Sequence, residues 1–241
     1  MSNIDILAFG AHPDDVELAA AGTLLRHKSM GYSIGIVDLT QGELGTRGTS
    51  STRRIESAKS AEILGLSVRE NLMLADGFFG PTQENMVKLI EVIRKYKPSI
   101  VLANAINDRH PDHAKGAAMV AEACFLSGLS KIKTSLEDIP QEAHRPAKVF
   151  HYIQDYHLQP DFVVGIDAEM NLKMESIKAY STQFYSEEES SEEPSTPISS
   201  KTFYDFLIGR ARDFGRIAGC EFGEGFNYAQ PLAINSLFDL K

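Results

Sequence analysis

Apolar and polar positions along the chain repeat in two alternating patterns. Short apolar runs of strand length are followed by longer segments in which apolar residues recur at helical spacing. The clearest helix covers residues 84–96, whose apolar side chains share one face and which Pro98 stops. This alternation predicts one α/β domain with a mainly parallel sheet and flanking helices. The predicted strands are 4–10, 33–39, 71–74, 99–104, 149–155 and 162–166, and the other predicted helices are 16–30, 52–64, 113–129, 169–184 and 202–219.

Two polar segments directly follow predicted strands. Residues 11–17 read AHPDDVE and residues 109–113 read RHPDH, so each combines imidazoles and carboxylates around a proline. Because the carboxyl ends of parallel strands meet at one edge of a sheet, we expect the two segments to lie close together. Imidazole nitrogens and carboxylate oxygens are ligands that Zn²⁺ takes in proteins. The sequence therefore predicts a divalent-metal site at this edge of the sheet.

Three side chains of these segments suffice to hold an ion and still leave a coordination position for water. If His12, Asp15 and His113 are the ligands, the site has the composition of a catalytic centre rather than a closed structural one. Asp14 would then be free to act as general base and later as general acid. His110 would donate a hydrogen bond to the developing oxyanion. This division of roles suits hydrolysis of an amide or ester.

Helix capping is an alternative explanation for the aspartates. Pro13 followed by Asp14 and Asp15 suits the start of a helix, and Asp112 stands before the next helix in a similar way. Capping would account for one aspartate of the first segment and would leave His12 unexplained. For Asp112, capping is a serious competitor to a role in the site.

The two segments resemble the signature motifs of the LmbE-like, or PIG-L, family of zinc-dependent N-acetylglucosaminide deacetylases. The resemblance extends over nearly the whole chain and implies a single Rossmann-like, LmbE-like domain over residues 1–241. Within the family, the chain most resembles the bacillithiol-biosynthesis branch, whose members remove acetyl from N-acetylglucosaminyl malate. The stretches that carry this second likeness are 37–49, 69–72, 107–113 and 224–226.

The resemblance also implies roles for individual residues. In the family, the positions matching His12, Asp15 and His113 bind zinc, the position matching Asp14 is the general base, and the position matching His110 assists the oxyanion. The same His and Asp ligands also accept Fe²⁺, Co²⁺ or Mn²⁺. Relatives of this branch form hexamers, so we expect a homo-oligomer.

Three arginines are candidates for binding the substrate. Arg53 matches a family arginine that faces the substrate, and its guanidinium fork suits a dicarboxylate such as malate. An ordinary charge on the helix surface is the alternative for Arg53. Arg109 is a candidate second carboxylate binder, and Arg47 lies in the glycine-rich stretch 42–48, which lacks a phosphate-binding motif and is expected to form the pocket rim.

The balance of charge favours a small-molecule ligand. The 241 residues include 24 basic and 33 acidic side chains, for a net charge of −9, which argues against a nucleic acid or an anionic membrane as partner. The N-terminus has no signal-peptide pattern, and no apolar run approaches the roughly 20 residues that a membrane-spanning helix needs. We therefore expect a cytoplasmic protein.

Two further features have simple structural interpretations. Cys124 and Cys220 lie far apart in apolar helical segments, so we expect packed thiols rather than a disulfide or metal ligands. Residues 186–200 are rich in glutamate, serine and proline, which is typical of a solvated, mobile loop. A substrate lid is the alternative for this loop.

Several functions compete with deacetylation of the malate conjugate. The catalytic residues alone would also suit another N-acetylglucosamine conjugate, such as the mycothiol precursor or a chito-oligosaccharide. A dinucleotide-binding module uses the same type of sheet, but Asp14 and Asp15 would repel a pyrophosphate at the first turn. A passive metal-binding protein is the third alternative, although it would have no use for the extra carboxylate of Asp14.

Overall fold

A computed structural model describes residues 3–185 and 194–239 of the chain. Strands and helices alternate through its first half. The strands are β1 (Ile6–Gly10), β2 (Ile34–Thr40), β3 (Val68–Leu74), β4 (Ile100–Ala103), β5 (Ser135–Leu136), β6 (Ile139–Pro140), β7 (Lys148–Tyr152), β8 (Phe162–Gly165) and β9 (Gly223–Asn227). The helices are α1 (Asp15–Ser29), α2 (Ser50–Leu64), α3 (Gln83–Tyr96), α4 (Pro111–Leu126), α5 (Met170–Lys178) and α6 (Lys201–Ala218), and a short 3₁₀ turn covers Leu237–Asp239.

Seven of the strands form one sheet in the order β3-β2-β1-β4-β7-β9-β8. The first five of these run parallel, and β9 is antiparallel to both of its neighbours. The chain leaves β1 in one direction through β2 and β3 and then places β4 on the other side of β1. The strand order therefore reverses between β1 and β4, which is the position where sheets of this type bind ligands. The predicted α/β fold with a mainly parallel sheet is confirmed.

Both faces of the sheet are covered, which explains why β1 and β2 are apolar along most of their length. Leu7 and Phe9 of β1 point to a core shared with α3 and α4. Ile6 and Ala8 point to the opposite core, which is shared with α1. Helices α5 and α6 pack against α1, α2 and the β8–β9 end of the sheet.

Strand β9 is absent from the sequence-based prediction because its residues, Gly-Glu-Gly-Phe-Asn, have low strand propensity. The glycines are needed for packing. A Cβ on Gly223 would lie 2.5 Å from a methyl group of Val163, and a Cβ on Gly225 would lie 3.0 Å from the ring of Phe214 on α6. Close contact with the neighbouring strand and with α6 therefore selects residues that strand propensity disfavours.

Helix α5 is shorter than the predicted helix over 169–184. After Lys178 the chain turns, which buries Tyr180 and lets its hydroxyl donate to Glu17 Oε1 at 2.8 Å. Two residues later, the backbone N–H of Thr182 donates to Glu56 Oε1 at 2.7 Å. These tertiary hydrogen bonds outweigh the weak preference for two further helical turns. The other predicted elements are present with shifted ends.

The predicted mobile loop over 186–200 is only partly within the described residues. Residues 186–193 lie outside them, and residues 194–200 lead without regular structure into α6, whose first turn is capped by Ser200. Cys124 is buried, which raises the pKa of its thiol to about 12, and neither cysteine forms a disulfide. In the described part of the chain, no helix combines the length and apolarity that crossing a bilayer requires.

A buried ion pair joins α5 and β9 to the middle of α1. Lys173 Nζ donates to Glu224 Oε1 at 2.5 Å, and both side chains are about 3% exposed. The carboxylate of Glu224 also accepts the backbone N–H groups of Gly22 and Thr23 at 3.0 and 2.6 Å. Lys173 Nζ donates in turn to the carbonyl of Leu18, one turn earlier. The pair therefore connects α5 and β9 to one turn of α1.

We expect Glu224→Ala to destabilise the protein by about 3–5 kcal/mol, because it leaves Lys173 buried without its counter-charge. Chemical denaturation followed by circular dichroism measures the difference. Glu221→Ala, at an exposed position of the preceding loop, is the matched control and should change the free energy of unfolding by less than about 0.5 kcal/mol. Equal stabilities of the two variants would contradict the account of this pair.

Candidate active site

Polar side chains converge where the parallel strands end. The segment 12–15 follows β1, Asp76 follows β3, residues 104–113 follow β4 and Gln154 follows β7. The predicted meeting of the two histidine-containing segments therefore occurs, at the point where the strand order reverses. The rings of His12 and His113 have centroids 5.6 Å apart.

Two imidazoles each face Asp15 with one nitrogen and an outer aspartate with the other. His12 Nδ1 lies 3.6 Å from Asp15 Oδ2, and His12 Nε2 lies 3.1 Å from Asp76 Oδ1. His113 Nε2 lies 3.1 Å from Asp15 Oδ1, and His113 Nδ1 lies 2.5 Å from Asp108 Oδ2. Metal-binding histidines show the same pattern, because an outer carboxylate fixes the ring and its tautomer. His12, Asp15 and His113 therefore suit a divalent ion.

Among the described residues, two groups have ligand atoms close enough to hold one ion, and both include His12: His12, His110 and His113, and His12, Asp76 and Asp112. Asp76 and Asp112 both approach His12 Nε2, at 3.1 and 3.5 Å. Asp112, however, already accepts hydrogen bonds from the backbone N–H of Gly77 and from Lys115 Nζ, at 2.8 and 2.7 Å. Asp15 belongs to neither group and also accepts hydrogen bonds, but it faces both His12 and His113, whose other ring nitrogens are held by Asp76 and Asp108.

Electrostatics in this cluster favour positive charge between the carboxylates. Burial lowers the pKa of both imidazoles, but contacts with aspartates outweigh it, so the pKa of His12 is well above its ordinary value and that of His113 is about 9. Despite burial, His113 and His12 hold the pKa of Asp15 well below its usual range. A divalent cation would supply the same positive charge and would displace the imidazole protons.

Asp15 is held in place from two neighbouring strands. Its Oδ2 accepts the backbone N–H of His12 and the side-chain amide of Asn104, each at 2.9 Å. Its Oδ1 accepts the side-chain amide of Gln154 at 2.7 Å. Asn104 also accepts the backbone N–H of Ala11 at 2.9 Å. Residues at the ends of β4 and β7 therefore fix the first loop rigidly.

Asp14 occupies a strained backbone conformation at the N-terminus of α1. Its φ is 129°, and its side chain makes no capping hydrogen bond, so capping does not explain it. Its Oδ2 lies 3.1 Å from Arg53 Nη2, which also donates to the carbonyl of Pro13. Burial raises the pKa of Asp14 to about 7, although Arg53 opposes the shift. A carboxyl with this pKa is suited to exchanging a proton near neutral pH.

His110 is the N-cap residue of α4. Its Nδ1 accepts the backbone N–H of Asp112 at 3.3 Å, so the proton of the neutral ring lies on Nε2. Burial and the nearby His12 and His113 lower its pKa, which keeps the ring neutral. His110 is therefore equipped to donate from Nε2. For Asp112, capping is the alternative to a role in the site, but His110 is the N-cap and Asp112 is fully buried beside His12.

A pocket of about 300 Å³ opens over these residues. Its polar side includes His12, Asp14, Asp15, His110 and His113, as the sequence-based hypothesis requires. The opposite wall is mainly apolar and comes from the segment before α6 and from α6 itself, through Pro197, Ile198, Phe203 and Leu207. A site with one reactive polar side and one apolar wall is typical of small-molecule enzymes.

The three predicted substrate arginines differ in position. Arg53 is 5% exposed and lines the pocket, so the surface-charge alternative is wrong. Arg109 also lines the pocket and forms an ion pair with Asp155. Arg47 is buried, and its neighbour Thr46 lines the pocket in its place.

Comparisons with known proteins agree with this geometry. The sequence profile described as PIG-L: GlcNAc-PI de-N-acetylase matches residues 7–124, which contain the loops after β1 to β4. The structure of the conserved protein TT1542 from Thermus thermophilus has 32% sequence identity and a TM-score of 0.84, over 97% of this chain and 98% of that one. Diacetylchitobiose deacetylase of Thermococcus kodakarensis is 27% identical over 240 residues, covering 95% of this chain and 85% of the relative. The chain belongs to the PIG-L family.

This PIG-L chain is also similar to a protein that is named as a hydratase and not as a deacetylase. The 4-oxalmesaconate hydratase of Pseudomonas putida is 25% identical over 193 residues, which is 73% of each chain. The profile and the chitobiose relative identify an enzyme family of deacetylases, but the same fold also serves other chemistry. Membership of the fold therefore does not determine the reaction of this PIG-L chain, which depends on the chemistry of its site.

Four residues of the site in this PIG-L chain have no place in the sequence-based prediction: Asp76, Gln154 and Arg210, which line the pocket, and Asn104, which donates to Asp15. Asp76 and Gln154 follow strands β3 and β7, and Asn104 directly follows β4. The rule that selected the two histidine segments would also have selected Asp76, which follows the predicted strand 71–74. Asn104 and Gln154 lie inside the predicted strands 99–104 and 149–155, and they follow strands only because β4 and β7 end earlier than predicted. Arg210 lies on α6, and only tertiary contacts bring it to the pocket.

We expect Asp108→Asn to weaken metal binding by about 10- to 100-fold, because Asp108 holds the outer nitrogen of His113. Dialysis against a graded chelator, followed by metal analysis, gives the affinity. Asp213→Asn, at an exposed position of α6, serves as control and should retain the metal. Unchanged affinity in Asp108→Asn would show that His113 does not hold the ion.

Proposed function

We propose that this chain is a metal-dependent hydrolase that removes the acetyl group from N-acetylglucosaminyl malate in bacillithiol biosynthesis. The observation that carries the reaction class is Asp14, a buried carboxylate in a strained conformation that lines the pocket and pairs with Arg53. It caps no helix and its pKa of about 7 suits proton transfer. A passive metal site would have no need of it. The site therefore supports hydrolysis over simple metal storage.

His12, Asp15 and His113 are the proposed ligands of the metal. Zn²⁺ is the expected ion, and Fe²⁺ or another divalent ion suits the same donors. When bound, the ion polarises the acetyl carbonyl and lowers the pKa of water. Asp76 and Asp108 keep the two rings oriented for this task.

Asp14 is the proposed general base and acid. Water attacks the carbonyl carbon of the acetamide while the carboxylate of Asp14 takes a proton from that water. Asp14 then returns a proton to the departing nitrogen as the C–N bond breaks, which yields acetate and a free amine. Arg53 lies 3.1 Å from Asp14 and holds the carboxylate against the pocket.

His110 is the proposed donor to the oxyanion. Its Nδ1 is occupied as a hydrogen-bond acceptor, which leaves the Nε2 proton available. As the carbonyl oxygen becomes negative, this hydrogen bond strengthens and lowers the barrier. The lowered pKa of His110 keeps it from titrating with the other imidazoles.

Malate is the proposed aglycone because the chain resembles the bacillithiol branch and because arginines line the pocket. Arg53 and Arg109, which line the pocket, remain proposed substrate-binding residues, and Arg47 remains one only through its place next to the pocket-lining Thr46. A chito-oligosaccharide substrate is the second candidate, and it is favoured by the similarity to diacetylchitobiose deacetylase. A homo-oligomer, including the hexamer expected from the resemblance, remains a prediction.

We expect the metal-loaded protein to release acetate from N-acetylglucosaminyl malate faster than from N,N′-diacetylchitobiose. Asp14→Asn removes the base without changing shape, so we expect kcat to fall by about 10²- to 10⁴-fold with the metal retained. Acetate release and metal content are measured on the same samples. Asp205→Asn, an exposed substitution on α6, is the control.

Full activity of Asp14→Asn would contradict the assignment of the base. Preference for the chitobiose would favour the second candidate substrate. A metal-loaded protein that releases no acetate from any N-acetylglucosaminide would exclude the deacetylase function, and hydration of an unsaturated acid would then be the next reaction to assay.

We expect Arg53→Lys to lower kcat by about 10-fold with both N-acetylglucosaminyl malate and free N-acetylglucosamine. A lysine keeps the charge but loses the fork that reaches both Asp14 and the carbonyl of Pro13. Steady-state kinetics on the two substrates measure the effect, with the exposed neighbour Arg54→Lys as control. A loss confined to the malate conjugate would place Arg53 on the aglycone instead.

A further inference from the structure

Three arginines line the pocket, and among the described residues one of them has no carboxylate partner. Arg53 pairs with Asp14, and Arg109 pairs with Asp155. Within residues 3–185 and 194–239, Arg210 on α6 has no acidic side chain within ion-pair distance. Its hydrogen bond in that part of the chain runs from Nη2 to the carbonyl of Leu18 at 2.6 Å. Most of the donors of its guanidinium therefore have no acceptor among these residues.

Glu224 is the acidic group that most favours the charge of Arg210, but its carboxylate already accepts three hydrogen bonds from other groups. Its carboxylate accepts from Lys173 Nζ and from the backbone N–H groups of Gly22 and Thr23. These donors leave little capacity for a further cation. Glu224 therefore stabilises the charge of Arg210 only at a distance.

Two more acidic groups near Arg210 are also paired with other residues. Asp155 pairs with Arg109, and Asp108 is bonded to His113 and to the backbone N–H of Tyr156. Burial lowers the pKa of Arg210 to about 10 although these carboxylates favour its charge. The guanidinium is thus a partly desolvated cation that pairs with no carboxylate in the part of the chain that the structure describes.

The surroundings of Arg210 would strengthen an ionic contact. The apolar side chains of Ile198, Phe203 and Leu207 line the same pocket, and apolar surroundings strengthen an ionic contact. The guanidinium also lies over the ring of Phe206, with 5.4 Å between its carbon and the ring centroid. Packing on Phe206 and the bond to Leu18 hold the fork in one orientation.

We infer that Arg210 forms an anion subsite on the α6 wall of the pocket and binds a carboxylate of the substrate's aglycone. The inference rests on the proposed function for its substrate, and it assigns recognition of the acidic aglycone to a residue separate from the proton-transfer residues. Asp155 and Asp108 nearby disfavour a doubly charged group, so a carboxylate suits the subsite better than a phosphate. Arg53 keeps its place beside Asp14, while Arg210 selects the aglycone.

The kinetic test compares an acidic and a neutral substrate. We expect Arg210→Gln to lower kcat/KM for N-acetylglucosaminyl malate by about 30-fold, mainly through KM, because one charge-assisted contact is lost. For free N-acetylglucosamine, kcat/KM should change by less than about 3-fold. Arg216→Gln, an exposed arginine of the same helix, should affect neither substrate. Equal losses on both substrates in Arg210→Gln would overturn the inference.

A binding test separates this inference from the proposed function. Calorimetry with free L-malate needs no turnover, and we expect its affinity to fall at least about 10-fold in Arg210→Gln and to be unchanged in Arg216→Gln. If the wild-type protein binds malate through Arg210 but releases no acetate, the proposed reaction is wrong and the subsite stands. If malate binding is the same in both variants, the subsite is wrong even where acetate is released.

Two further controls keep the test decisive. Inorganic phosphate is titrated in parallel, and tighter binding of phosphate than of malate would overturn the assignment to a carboxylate. Arg210→Lys retains a cation able to reach Leu18, so it serves where Arg210→Gln fails to fold, as judged by circular dichroism. We expect Arg210→Lys to bind malate with intermediate affinity, and wild-type affinity together with wild-type kcat/KM would show that the fork has no role.

Discussion

The parallel pairing of β1 with β4 is the constraint on which the candidate site depends. Ile6, Leu7 and Ala8 lie opposite Ile100, Val101 and Leu102, so the loops that leave the two strands begin side by side. Asn104 completes the connection by bonding both to the backbone of Ala11 and to the carboxylate of Asp15. Loss of this pairing would separate the two histidine-containing loops whatever their own conformations.

Charge balance is the second organising principle of the pocket. Aspartates surround His12 and His113 on both ring nitrogens, and this cluster is stable only with positive charge at its centre. Asp14, one residue away, is balanced differently, because its partner is the permanent charge of Arg53. The two neighbouring carboxylates have opposite shifts of pKa: burial raises that of Asp14 despite Arg53, whereas His113 and His12 lower that of Asp15 despite burial. Such separation allows one to bind a cation while the other moves a proton.

Sequence reasoning located the site because the relevant residues stand next to strands. The pattern of strands predicted where His12 and His110 would meet, and the structure confirms it. Arg210 and strand β9 were missed for a common reason: their positions depend on contacts with α1 and α6, which no local pattern encodes. The same holds for the end of α5, where hydrogen bonds from Tyr180 and Thr182 outweigh helix propensity. Which arginine faces the aglycone also depends on tertiary ion pairs.

The most direct test of the account is the position of a metal ion in crystals of the zinc-loaded protein, measured by anomalous diffraction. The account predicts one strong peak at about 2.0–2.2 Å from His12 Nδ1, His113 Nε2 and an oxygen of Asp15. A peak on the other side of the ring, between His12 Nε2, Asp76 and Asp112, would contradict it. So would a protein that binds no zinc at all.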